Sequence, residues 1–182
     1  MDEPNRKVIT LIGFRGCGKT SVGRLLADRL GWQFMDTDAE IERKTGKSIA
    51  EIFLEQGEDT FRRLEREEMQ TQLGKSQLVI SAGGGAILDA QTRDHIAKFG
   101  VSIWLTAKVE TIRERLENDE RTQSQRPSLT GKATAAEIGE ILQQRNPLYS
   151  SSADVVVETD SKSPLQVVEE ILSQLPVEFP KG

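Results

Sequence analysis

Short apolar runs alternate with longer amphipathic stretches along most of the chain. The run Val8-Ile9-Thr10-Leu11-Ile12 leads through a polar turn into Val22, Leu25, Leu26 and Leu30, apolar positions at helical spacing that stop at Gly31. The same pairing of a short run with an amphipathic stretch recurs to the C-terminus. Strands are predicted at residues 7–13, 33–36, 78–82, 101–106 and 154–158. Several are near-continuous apolar runs, as strands covered on both faces require. Such alternation predicts an α/β fold around a parallel sheet.

Between the strands the periodicity predicts two short helical stretches at 39–45 and 48–56 and a longer one at 59–75, punctuated by Gly46 and Gly57. Further helices are predicted at 90–99 and at 109–117, the latter with Ile112 and Leu116 four apart. Thr134 and Glu137 have capping-box spacing ahead of Ile138, Ile141 and Leu142. The last helix opens with Ser163 as cap and Pro164 in its first turn, with Leu165, Val168, Leu172 and Leu175 expected on its buried side. Residues 118–132 fit none of this: Leu129 is almost their only apolar residue, and they carry Arg121, Arg126, Pro127 and Gly131. About fifteen such residues read either as a plain surface loop or as a lid.

At 182 residues the chain suits a single domain with a real core. Its formal net charge of −5 and pI near 5.1 argue against nucleic acid as a main partner. No apolar run approaches the roughly 18 residues of a membrane span. Cys17 is the only cysteine, which excludes an intrachain disulfide, and Met1-Asp2-Glu3-Pro4 lacks the features of a signal peptide. A cytoplasmic, monomeric protein is expected.

Candidate chemistry begins directly after the first strand. Gly13-Phe14-Arg15-Gly16-Cys17-Gly18-Lys19-Thr20 matches G-x-x-x-x-G-K-[ST] between a predicted strand and a predicted helix. Glycines let several N–H groups turn toward one anion, and the helix aims its positive end at the same place. Lys19 suits the outer phosphates of ATP, and the Thr20 hydroxyl suits a bridging Mg²⁺ ion, expected at one per subunit. The third strand ends in Ser81-Ala82-Gly83, where many phosphate-loop enzymes place a magnesium Asp, and the chain has no Asn-Lys-x-Asp motif. A small-molecule kinase is therefore favoured over a GTPase.

Replacement carboxylates stand at the end of the second strand. Asp36 suits magnesium-bound water, while Asp38, facing the same way in an extended segment, suits the proton of an acceptor hydroxyl. Either Asp, or Thr37, serves equally well as cap of the helix that follows. Arg145 lies on or near the apolar stripe of its helix, where an unpaired charge is costly, and so is expected to face an anion. Arg62 and Arg63 sit one turn before Glu65, leaving Arg62 open between ion pair and ligand and Arg63 better explained as a solvated pair. Gly83-Gly84-Gly85 is either a turn or a place where backbone meets a ligand. Cys17 reads as a small filler, with an oxidisable switch as the less favoured option, and His95 as a surface residue.

The ordered set Asp36-Thr37-Asp38, Phe61-Arg62-Arg63-Leu64-Glu65, Gly83-Gly84-Gly85, Arg126-Pro127 and Arg145-Asn146-Pro147-Leu148-Tyr149 resembles the shikimate kinase family, over residues 7–175. That resemblance implies a nucleoside-monophosphate-kinase-like fold, a five-stranded parallel sheet ordered 2-3-1-4-5, and ATP-dependent phosphorylation of the shikimate 3-hydroxyl. It implies that Gly13, Arg15, Gly16, Cys17, Gly18, Lys19, Thr20 and Ser21 hold ATP, with Arg121 on the adenine, and that the turn from Asp160 to Pro164 lies on the adenine side. Asp38, Arg62, Gly83, Gly84, Gly85 and Arg145 would hold shikimate, Thr20 and Asp36 would hold the metal, and Lys19, Asp38 and Arg126 would be catalytic. Arg126 would come from a mobile lid at 118–132. The chain departs from the family in Ser128, where Leu is frequent, and in the bulky Phe14. Two other readings are a related kinase for gluconate or a nucleoside monophosphate, and a nucleotide-binding module without catalysis; the intact Lys19, Asp38 and Arg126 speak against the second.

Overall fold

Residues 8 and 9 of the first strand point to opposite faces, and that alternation builds two separate cores. The computed structural model describes residues 8–118 and 134–176. Strands β1 (Val8–Ile12), β2 (Gln33–Asp36), β3 (Leu78–Ser81), β4 (Val101–Thr106) and β5 (Val155–Glu158) form one parallel sheet in the order β2-β3-β1-β4-β5. Ile9 and Leu11 of β1 join Val79, Ile103 and Leu105 under helices α1 (Lys19–Leu30), α5 (Val109–Glu117) and α7 (Pro164–Gln174). Val8, Ile12 and Ile80 face the other way, against Met69 and Leu73 of α3 (Ile49–Leu73) and Ile96 of α4 (Ala90–Phe99). Helix α6 (Ala135–Ser152) contributes to both layers, Ile138 to the first and Tyr149 to the second. A smaller cluster of Ile41, Ile49, Ile52 and Phe61 joins α2 (Thr37–Thr45) to α3.

The element order and sheet topology match the sequence expectation, and the differences are local. Helix α2 begins at Thr37 rather than Ala39, because Asp36 is its cap and accepts from the amides of Asp38 and Ala39. The two stretches expected at 48–56 and 59–75 run on as one helix, α3, broken only at Gly57, whose φ of 83° and ψ of 168° are not helical. Thus the expected punctuation is there, as a break within one helix. Strand β5 is covered on one face only: Val155 and Val157 are buried while Val156 is 47% exposed. In α7 the burial rests on Val167, Val168, Ile171 and Leu172, and Leu165, expected on the buried side, is 48% exposed. A 3-10 turn, Ala86–Leu88, follows the triple glycine and was not anticipated. His95 is half-buried, its ring 6.1 Å from that of Phe99.

Candidate active site

Three neighbouring strands, β1, β2 and β3, deliver their C-terminal ends to one edge of the sheet, beside the switch point between β1 and β4, where the strand order reverses as the chain passes from β3 over to β4. The loop after β1 is held tightly. Gly13 has φ 141°, and a side chain there would strike the Leu105 carbonyl. Gly18, at φ 91°, opens α1 with no side-chain cap, which leaves the helix's first amides to an anion. Buried Lys19 reaches back over the loop and donates to the carbonyls of Gly13 at 2.7 Å and Phe14 at 2.9 Å. Arg15 is half-buried, and Ser21 is exposed in the first turn of α1.

Burial pushes the Cys17 thiol above its ordinary 9.0, against the opposing pull of Lys19 and Arg115. A buried thiol that holds its proton is a poor redox sensor, which favours the filler reading.

Asp36 is the joint between the phosphate loop and β2. Its Oδ1 caps α2, while its Oδ2 accepts from Thr20 Oγ1 at 2.8 Å. Two hard oxygen donors thus meet at the mouth of the loop, a pair suited to Mg²⁺ when phosphate and water oxygens complete the shell. No cluster of three or more His, Cys, Asp or Glu among the described residues would hold a metal by itself.

Between the two aspartates Thr37 is fully buried. Its hydroxyl donates to the Ser81 carbonyl at 3.3 Å and accepts from the Gly83 amide at 3.0 Å, tying the end of β2 to the end of β3.

The triple glycine lies where these elements converge, and each of its residues faces a different charged group. A Cβ on Gly83 would stand 2.8 Å from Asp38 Oδ1 and collide with Glu65. One on Gly84 would stand 3.8 Å from Arg145 Nη1 and 3.5 Å from the Arg15 amide. One on Gly85 would press into the Arg62 guanidinium, 2.8 Å from its Cζ. Glycine at these positions lets two carboxylates, Asp38 and Glu65, and two guanidinium groups surround a single short stretch of backbone.

Arg62 donates to buried Glu65 at 2.7 Å and to exposed Glu58 at 3.1 Å. Burial is the largest influence on Arg62 and works against its charge, yet the Glu65 and Glu58 carboxylates outweigh it and raise the pKa above the usual arginine value. Arg63 instead makes an exposed pair with Glu67 at 2.9 Å. Arg145 donates to the Gly84 carbonyl at 3.2 Å and lies over the Phe14 ring at 6.0 Å.

Arg115 went unnoticed in the sequence. Its guanidinium donates to the Gly16 carbonyl at 3.1 Å and to both Thr159 oxygens at 3.0 and 2.9 Å, so it joins the phosphate loop to the turn after β5. In that turn Asp160 accepts from the Lys108 amide and from Thr111. The usable signal was its place beside Ile112 and Leu116, the same edge-of-stripe position that marked Arg145. Arg121, Arg126 and the whole of 119–133 lie outside the described residues.

A 2-3-1-4-5 parallel sheet with a phosphate loop at its switch point, and charged side chains gathered round the glycine run beside it, defines a small-molecule kinase of the phosphate-loop class. The shikimate kinase family model matches residues 15–176. A shikimate kinase from Persephonella marina is 42% identical over 167 residues, covering 92% of this chain and 98% of that protein. One from Methylococcus capsulatus is 41% identical over 169 residues, with 93% and 92% covered. Among solved structures, the shikimate kinase of Acinetobacter baumannii in complex with shikimate superposes with a TM-score of 0.86 at 35% identity, over 93% of each chain. A gluconokinase from Sinorhizobium meliloti, at 15% identity and a TM-score of 0.56 over 96% and 93% of the two chains, shares the fold alone. The chain belongs to the shikimate kinase family.

Proposed function

We propose that this chain transfers the γ-phosphoryl group of ATP to the 3-hydroxyl of shikimate. The observation that carries this reading is the glycine run, with Asp38, Arg145 and Arg62 each set against a different one of its three residues. That arrangement offers a hydroxyl acceptor group and a carboxylate-binding pair at fixed positions opposite the phosphate loop. Membership of the shikimate kinase family supports the choice of acceptor.

In this reading the loop amides and Lys19 hold the phosphates, with Arg15, Cys17 and Ser21 lining the loop and Arg115 keeping the loop against the 159–160 turn. Thr20 and Asp36 would hold Mg²⁺, which when bound would offset the negative charge of the β- and γ-phosphates. Asp38 accepts a hydrogen bond from the shikimate 3-hydroxyl and takes its proton as that oxygen bonds to the γ-phosphorus and the bond to the β-phosphate oxygen breaks. Arg62 and Arg145 hold the shikimate carboxylate. To do so Arg62 exchanges its exposed Glu58 partner, a weak surface pair, while buried Glu65 continues to orient it. Gly83, Gly84 and Gly85 let the acceptor approach the backbone. Arg126 is assigned by resemblance to the transferring phosphoryl group and Arg121 to the adenine, both in a lid at 118–132 of a single domain. Catalysis then comes from positioning and charge stabilisation, without a covalent intermediate.

The reading also takes the protein to be a cytoplasmic monomer; among the described residues no helix is long and apolar enough to cross a membrane. A coupled assay with ATP, Mg²⁺ and shikimate tests the reaction, with gluconate as the alternative acceptor. ADP release that depends on shikimate is expected; release no faster than without shikimate refutes the reading.

A further inference from the structure

The Gly84 carbonyl accepts two hydrogen bonds, and one donor is a residue with no role in the mechanism above. Tyr149 OH reaches it at 2.5 Å, beside Arg145 Nη1 at 3.2 Å. Both donors sit on α6, one turn apart. Tyr149 is 1% exposed, and its ring stacks on Trp104 of β4 with centroids 5.7 Å apart and planes at 22°. The phenol is therefore a fixed donor, held by packing on a helix that also carries one of the two carboxylate-binding arginines.

A planar trans peptide carries its carbonyl and the next N–H in opposite directions. Whatever holds the Gly84 oxygen therefore also sets the direction of the Gly85 N–H, and Gly85 lies directly against Arg62. The carbonyl ties Arg145 as well, since it accepts from that guanidinium. With the phenol in place, the oxygen stays where Arg145 meets it with one nitrogen and keeps the rest of its fork for an anion.

We propose that Tyr149 is a positioning residue of the acceptor site, acting through the Gly84 carbonyl to set Gly85 and Arg145 for the substrate carboxylate. This rests on the shikimate reading above. It places the boundary of the acceptor site one layer deeper than the residues that touch substrate, at a buried hydroxyl. The effect is expected mainly on the acceptor side, because the hydroxyl donates to Gly84, which meets Arg145 directly and the phosphate loop only through backbone packing beside Arg15.

The test is Tyr149→Phe, which keeps the ring on Trp104 and removes only the hydroxyl, with Trp104→Phe as the packing control. For Tyr149→Phe the expected result is a rise in KM for shikimate and in its calorimetric Kd of about tenfold, in line with the loss of one buried hydrogen bond. The KM for ATP should change less than about twofold. A merely structural role would lower the active fraction, and hence kcat, without moving either KM. Tyr149→Phe with unchanged shikimate KM and Kd overturns the proposal, whatever happens to its melting temperature. An equal rise in Trp104→Phe, which keeps the hydroxyl, assigns the effect to packing and overturns it too. If the unaltered protein shows no shikimate-dependent turnover, it is the shikimate reading that fails.

Discussion

Replacing Asp38 with Asn keeps the shape of the side chain and removes its capacity to take a proton. In the proposed reaction kcat should fall by about 100-fold or more while nucleotide binding stays nearly constant, as a coupled assay paired with calorimetry would record. A kcat left intact would reduce Asp38 to an acidic residue in the first turn of α2. Tyr149 offers a second residue-scale test because it is the only tyrosine in the chain. Burial is the main influence on its phenol and raises it from 10.0 to about 12, against a weaker opposite pull from Arg145. The folded chain keeps this proton where the unfolded chain gives it up. The resulting stability is complete below pH 10 and lost progressively toward pH 12, a loss of roughly 2–3 kcal/mol. Phenolate absorbance should appear only above the ordinary tyrosine range, and Tyr149→Phe should lack the alkaline slope. At this scale the sequence was informative wherever a placement follows from neighbours in the chain, as for Lys19 and Thr20 after β1 and Asp36 at the end of β2. It was silent on Arg115 and on the Tyr149 hydroxyl, whose partners lie 44 to 99 positions away.

Between elements, the Thr37 hydroxyl is the stitch that holds β2, α2 and the glycine run in register. Thr37→Val is nearly isosteric but leaves the Gly83 amide without its buried acceptor. A destabilisation of about 1–3 kcal/mol is expected in urea unfolding, with a loss of kcat larger than the loss of nucleotide affinity. Unfolding at the original midpoint together with normal turnover would show that the stitch is dispensable. Element positions were largely legible because strands buried on both faces and amphipathic helices leave different periods in the sequence. What escaped notice was set by contacts outside the periodic pattern. The start of α2 depends on which of three capping residues wins, and Asp36 wins while also accepting from Thr20. Likewise the 3-10 turn after the glycines comes from Gly83 and Gly85 carbonyls accepting from Ala86 and Leu88, which no apolar stripe announces.

For the molecule as a whole, the two cores on opposite faces of one sheet should melt as a unit, and ligands of the folded state should raise that melt. ADP with Mg²⁺ and shikimate, each at about one hundred times its Kd, would contribute about 2.7 kcal/mol apiece if they bind independently. For a chain of this size that corresponds to an upward shift of several degrees per ligand in a thermal scan. A shift with nucleotide but none with shikimate would contradict the proposed acceptor. Residues 8–118 and 134–176 carry both halves of this expectation, since Lys19, Asp36, Asp38, Arg62 and Arg145 all lie within them.

The stack of Trp104 on Tyr149 has an optical consequence. The chain has two tryptophans: Trp32 lies just past the C-terminal end of α1, and Trp104 is one ring away from the phenol that holds Gly84. An indole so placed is a built-in lamp beside the acceptor cleft. Its emission should shift when shikimate settles against the glycine run, while Trp32 supplies a steady background. Trp32→Phe would then leave a protein whose fluorescence reads acceptor binding directly, with no dye attached and no turnover needed.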